Sequence, residues 1–286
     1  MTIKEKYKHY SALLKTIYND GEAIAITNII FEHFVKVNKS DLLLRGNETL
    51  SDESLSSLNN ALAALLTHEP VQYITNEAWF YNLKFYVTKD VLIPRPETEE
   101  LVHEAIAFLK TSNEKNVLDI GTGSGCIPIS IKKNLPNAVV TSIDVSNAAL
   151  YVAKENATSN NVVINFKEID FLNENNFASF ESFDVIISNP PYIPEEEKNI
   201  LDKNVTEYEP HLALFVPQNN ALIFYKKILS FAENHLNKNG RIYVETHENL
   251  TKETAALFTE KNYFVKIQKD MQGKERMLII YRYPTR

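Results

Sequence analysis

Residues 116–127 read NVLDIGTGSGCI. A short apolar run, the signature of a buried strand, stops at three glycines in five residues, Gly121, Gly123 and Gly125. A segment of helical spacing then begins at Cys126. The chain holds only seven glycines in 286 residues, so three at one strand–helix turn demand a reason. Glycine has no Cβ, and backbone built from it can approach a ligand closely. In open α/β sheets the turn at the carboxyl end of a strand forms the usual binding crevice.

Outward from this turn the same alternation continues. NVLDI, AVVTSID, VVINFKE, FDVIISN and GRIYVET read as strands, with CIPISIKKNL, AALYVAKENA and ALIFYKKILSFAENHL as helices between them. This order predicts a parallel sheet covered on both faces by helices. YFVKIQKD and RMLIIYRY are joined only by MQGKE, too short for a crossover, so they are predicted to pair antiparallel.

Asp144 closes the second of these strands, about 20 residues after the glycines, where an acidic side chain meets ribose hydroxyls. The spacing is G-x-G-x-G, not the G-x-G-x-x-G of dinucleotide sites. Asp119 lies just upstream, where a carboxylate does not suit a pyrophosphate but suits an ammonium and a sulfonium. S-adenosylmethionine therefore fits better than a nicotinamide cofactor. Cys126 begins the following helix, and a small packing role is expected for it over a reactive one.

The fourth strand runs into SNPPYIP, residues 188–194. Two prolines cannot continue a strand ladder, so Asn189 and Tyr192 are presented on a stiff support at the same sheet edge. A planar nitrogen is a poor nucleophile. The Asn189 side-chain oxygen and the Pro190 carbonyl can accept from one NH2 group and hold it, while Tyr192 lies against its flat face. Asn189, Pro190 and Tyr192 are thus the candidate catalytic residues, acting by orientation more than by acid–base chemistry.

VLIPRPETEELV (91–102), VLDIGTGSGCI (117–127), SNPPYIP, YEPHLALF (208–215) and DMQGKERML (270–278) together resemble the HemK/PrmC family, the glutamine-N5 methyltransferases of class 1 peptide chain release factors. The resemblance covers almost the whole chain. It implies a class I methyltransferase, Rossmann-like, with a mostly parallel seven-stranded sheet and an antiparallel last strand. The acceptor it implies is the glutamine of the Gly-Gly-Gln motif. Donor contacts are implied at Gly121, Thr122, Gly123, Ser124, Gly125, Asp144, Asp170, Phe171 and Asn189, beside the Asp119 read above. Glutamine binding is implied at Asn189, Pro190, Pro191 and Tyr192. Arg95 and Glu97 are expected to shape the roof of the site, or else to pair at the helix start. Phe171 stands where the family usually has tryptophan, and THENL follows Glu245 where glycine and glutamine are usual.

Residues 1–75 show helical spacing in YSALLKTIY, AIAITNIIFEHFV and LNNALAALL, with Ser40 or Asp41 and Ser51 or Asp52 as candidate N-caps. They are expected to form a helical domain that binds the partner. Residues 76–95 are expected to form a β-hairpin linker, and 96–286 the S-adenosylmethionine-dependent domain. The formal net charge of -7, without a dense Lys/Arg run, argues against nucleic acid as the main partner. One cysteine excludes an intrachain disulfide, and seven scattered histidines give no zinc pattern. A cytoplasmic, metal-free monomer is expected. The rivals are an N-methyltransferase of a nucleic-acid base amine or a ribosomal-protein glutamine, a nicotinamide oxidoreductase, and a non-catalytic donor-binding scaffold.

Overall fold

The computed structural model describes residues 1–112 and 115–283. They divide into two compact units, Met1–Glu77 with Asp202–Tyr208, and Ala78–Leu201 with Glu209 onward.

The first unit is helical: α1 (Ile3–Leu14), α2 (Asp20–Val35), α3 (Asp41–Arg45), α4 (Asp52–Leu66) and α5 (Val71–Thr75). Polar side chains start these helices by taking up main-chain N–H groups that have no partner within the first turn. Thr2 and Glu5 form a capping box, and Asn19 and Ser51 cap α2 and α4. Ser40 makes no side-chain cap; Asn38 Oδ1 instead accepts from the N–H groups of Ser40 and Asp41 at 2.8 and 3.0 Å. Tyr10, Leu14, Ile30, Phe31, Leu58 and Leu65 fill the core, with Tyr10 edge-on to Phe31.

The second unit opens with the hairpin β1 (Glu77–Phe80) and β2 (Leu83–Tyr86). Its two turn residues, Tyr81 and Asn82, have φ of 51° and 59°. That pair of left-handed conformations matches the twist of adjoining strands. Next come α6 (Pro96–Thr111), β3 (Asn116–Ile120), α7 (Cys126–Asn134), β4 (Val139–Asp144), α8 (Asn147–Ser159), β5 (Asn165–Glu168) and β6 (Phe183–Ser188). A two-residue parallel pair, β7 (Ile193–Pro194) with β8 (Phe215–Val216), closes the stretch after the double proline. Between β7 and β8 in sequence fall the short helices α9 (Lys203–Tyr208), which belongs to the first unit, and α10 (His211–Leu214), which belongs to the second. Nothing in the local pattern had indicated this pair. The unit ends with α11 (Ile223–His235), β9 (Leu236–Glu245), α12 (Thr251–Thr259), β10 (Tyr263–Lys269) and β11 (Glu275–Arg282).

Seven strands form one sheet in the order β10-β11-β9-β6-β3-β4-β5. β9, β6, β3, β4 and β5 run parallel, and β11 lies antiparallel between β9 and β10. Alternate residues feed two cores, as strand geometry requires. Val117, Val185 and Ile187 pack with α6 and α7 on one face. Leu118, Ile120 and Ile186 pack with Phe231 of α11 and Phe258 of α12 on the other. The expectation of a mostly parallel, doubly covered sheet with an antiparallel last strand is met. Among the described residues no helix is long and apolar enough to cross a membrane.

One buried carboxamide ties the hairpin to the glycine turn. Asn156 of α8 accepts from Tyr86 N at 2.6 Å and donates to Tyr86 O at 2.8 Å and Ser124 O at 2.9 Å. It is fully enclosed. Asn156→Ala would strand an N–H and two carbonyls, so it is expected to cost about 3 kcal/mol. Urea unfolding of the full chain measures this.

Candidate active site at the carboxyl edge of the sheet

β3, β4, β5 and β6 all end at one edge, and there a cavity of about 380 Å³ opens. That size lies within the range of small-molecule and cofactor sites. Gly121, Thr122, Gly123 and Ser124 form one wall, Asp144 and Ser146 a second, and Asp170 with Ile169, Phe171 and Leu172 a third. Asn189 and Pro191 come from the end of β6, and Arg95 and Thr98 from the start of α6.

The three glycines serve different ends. Gly121 and Gly123 have φ of +76° and +52°, and a Cβ at either would meet no protein atom within 4 Å. Backbone conformation and open approach to the cavity, not crowding, require glycine there. Gly125 is off the wall, and its Cβ would stand 3.1 Å from Ala153 Cβ and 3.0 Å from Ile129 Cδ1. The space a side chain would need there is taken up by the packing of α7 on α8.

Asp144 Oδ2 accepts from Gly123 N at 3.0 Å and Oδ1 from Ser146 N at 2.9 Å. Burial raises its pKa above the ordinary carboxylate value. Phe171 is buried and packs on Phe177 and Phe231, so the ring is fixed where it meets the cavity.

Asp119 is not on the wall. The register pairs it with Ser142 of β4, so both side chains share a buried face of the sheet. The Ser142 hydroxyl donates to Oδ2 at 2.6 Å, while Oδ1 has no partner. Burial pushes the carboxyl up to about 7. Asp119 was expected to meet the donor's ammonium group; the structure places its carboxyl beneath the wall, bonded to Ser142 and close to Thr122. Cys126 is buried, and burial pushes its thiol up to about 12, in keeping with a packing role.

The side-chain nitrogen of Asn189 donates to Thr98 Oγ1 at 3.1 Å. The Thr98 hydroxyl donates to Glu245 Oε2 at 2.6 Å, and the Tyr192 hydroxyl donates to Glu245 Oε1 at 3.0 Å. Tyr225 donates to the Glu245 main-chain oxygen at 2.9 Å. Glu245, at the end of β9, is only 2% exposed. Tyr192, whose hydroxyl bonds Glu245, and the buried Pro190 are not among the residues that line the cavity. Thr98 and the tie made by Glu245 had not been anticipated. The one available signal was Thr98's place inside the quoted PRPETE stretch.

Arg95 pairs with the buried Glu209 at 2.6 Å, and Glu209 also accepts from Ile93 N at 3.3 Å. The roof is therefore fastened through the YEPH stretch. Arg95 makes no helix-start pair with Glu97. Glu97 instead accepts from Gln272 and lies off the wall.

Residues 5–75 match the PrmC N-terminal domain family and residues 103–213 the methyltransferase small domain family. The chain is 44% identical over 282 residues to the release factor glutamine methyltransferase of Flavobacterium psychrophilum, covering 97% of this chain and 98% of the relative. It is 36% identical over 270 residues to the protein of that name from Bacteroides thetaiotaomicron, covering 94% and 96%. Among solved structures, the human methyltransferase 10 domain containing protein has a TM-score of 0.51 at 16% identity, covering 72% and 90%, a likeness of fold alone. The chain belongs to the release factor glutamine methyltransferase family.

The Asp119 carboxyl stays protonated in the folded protein through an interval in which the unfolded chain has ionised. Over that interval the native state binds more protons, so this group's contribution to stability falls as pH rises from near 3.8 to about 7. Asp119→Asn removes the slope. Relative to the parent, the variant should gain about 3 kcal/mol between pH 5 and pH 8, at roughly 1.4 kcal/mol per pKa unit. Urea unfolding of both proteins at the two pH values checks this.

Proposed function

We propose that this chain transfers a methyl group from S-adenosylmethionine to the side-chain amide nitrogen of a glutamine, that of the Gly-Gly-Gln motif in class 1 peptide chain release factors. The carrying observation is that the Asn189 carboxamide lines the same cavity as the open glycine turn and Asp144, with its nitrogen engaged by Thr98.

The residues fit the donor. Gly121 and Gly123 leave room for close approach, and the Asp144 carboxylate suits a pair of ribose hydroxyls. Ile169, Phe171 and Leu172 offer apolar surface for a flat base, the phenyl ring serving where the family usually has tryptophan. When bound, S-adenosylmethionine supplies an electrophilic methyl group on a sulfonium.

The protein's own part is orientation. With its nitrogen occupied by Thr98, Asn189 has its oxygen free to accept from the glutamine NH2. This reading gives the Pro190 carbonyl the second acceptance, and it gives Pro191 and the Tyr192 ring the flanks of the acceptor. Two fixed acceptors restrain a nitrogen whose lone pair is delocalised, and most of the rate enhancement comes from that restraint. Arg95, fastened by Glu209, shapes the roof from the side of α6.

The N-terminal helical unit is assigned the partner contact. A net charge of -7 suits a partner with basic regions. The same reading places the enzyme in the cytoplasm as a monomer that works without a metal and without direct nucleic-acid contact.

Methyl transfer to a purified release factor, with peptide mass mapping, tests the reading. Asn189→Ala is expected to abolish transfer while S-adenosylhomocysteine binding by calorimetry stays within about threefold. Unchanged turnover in that variant would contradict the role of Asn189. Methylation of DNA or RNA in preference to the release factor would overturn the substrate.

A further inference from the structure

The tie from Asn189 to Glu245 has a direction. A hydroxyl carries one proton. Thr98 lies 2.6 Å from a Glu245 oxygen and 3.1 Å from Asn189, so its proton can serve only one of them. An ionised carboxylate accepts and never donates. Thr98 must then give its proton to Glu245 and accept from Asn189. Only the nitrogen of Asn189 can meet that acceptor, which leaves the carboxamide oxygen for the cavity.

We propose that Glu245 is a positioning residue for methyl transfer: its ionised carboxylate fixes the Thr98 proton and so makes Asn189 present oxygen to the glutamine NH2. The inference rests on the methyl-transfer reading above and deepens it. A donor at position 245 would reverse the relay. Thr98 would then donate to Asn189 Oδ1, and the Asn189 NH2 would confront the substrate NH2, two donors face to face.

Opposing influences act on the Glu245 charge. Thr98 of α6 and Tyr192 donate to its two oxygens, and the Arg276 side chain of β11 favours the charge. Burial opposes ionisation most strongly, and Glu97 on α6 adds to it, so the carboxyl titrates above its ordinary value. Tyr225 of α11 bonds the main-chain oxygen and leaves the carboxylate to the other two hydroxyls. Burial, then Glu245, holds the Tyr192 phenol protonated, as donation requires, while Arg276 and Arg95 act the other way. His247, paired with Glu197 at 3.2 Å, packs against Tyr192 with ring centres 6.2 Å apart. Activity must fall as pH drops through the Glu245 titration.

The test compares Thr98→Val, Thr98→Ser, Glu245→Gln and His247→Gln in the full chain, each checked for folding by circular dichroism. Glutamine at 245 reverses the relay only when its N–H faces Thr98; turned towards Tyr192 it leaves Thr98 donating, so Thr98→Val tests the relay and Glu245→Gln tests the source of the acid limb. Thr98→Val is expected to lower kcat by about 100-fold while KM and S-adenosylhomocysteine affinity stay within about threefold. Thr98→Ser should recover most of the loss, and the acid limb of the kcat profile should vanish in Glu245→Gln and persist in His247→Gln. The Asn189 side-chain amide signals in 15N-asparagine-labelled protein, assigned by their loss in Asn189→Ala, should shift in Thr98→Val. They report on orientation without any substrate. Superimposable Asn189 signals in that variant, or its kcat within about threefold of the parent, would overturn the proposal. If the parent fails to methylate a release factor, the substrate reading falls, and the amide signals still decide the positioning role.

Discussion

A carboxylate buried at the end of a strand holds the reactive end of this molecule together. Taking an ion out of water costs several kcal/mol unless other groups replace its hydration. Glu245 meets that condition with two hydroxyls and a nearby guanidinium. The hydroxyls arrive from separate parts of the chain, one from the first turn of α6 and one from the loop beyond β6. Each is drawn in because the charge needs it, and each is thereby fixed. Loss of either partner leaves an incompletely solvated carboxylate, a larger penalty than the net worth of the bond it made.

How much of this was legible in the sequence depends on range. The glycine turn and the double proline announce themselves because they meet local backbone demands, a φ above zero in one case and a missing N–H in the other. The antiparallel end of the sheet could be read because MQGKE is too short for any other connection. Thr98 and Glu245 are 147 residues apart, and Arg95 and Glu209 are 114 apart. No local pattern encodes such pairings. Asp119 shows the same limit of range. Its position beside the glycines invited a ligand role, yet strand register set it facing Ser142. Gly125 looked like its two neighbours and differs because Ala153 crowds it.

The sheet alone says little about substrate. Its strand order and doubly covered faces recur in a human protein at 16% identity, a likeness of fold alone, and a fold does not name a substrate. The particular chemistry sits in segments added at one edge: the Arg95–Thr98 stretch, the Asn189–Tyr192 tetrad and the Glu209 tie. Two of these segments are proline-rich, and the third is a buried acid that locks one of them. Rigid parts placed on a common scaffold are how one fold comes to discriminate between amides and other acceptors.

The Asn156 carboxamide gives the glycine turn a further property. It grips Ser124 from behind, while Asp144 holds Gly123 from the front. The loop is stiffened by the protein's own groups, so the entropy lost in ordering it is charged to folding and not to association. A small molecule arriving there meets a ready-made seat, and a larger share of its contact energy survives as affinity. In such an arrangement residence time, rather than the speed of encounter, becomes the quantity that substitutions behind the loop would alter.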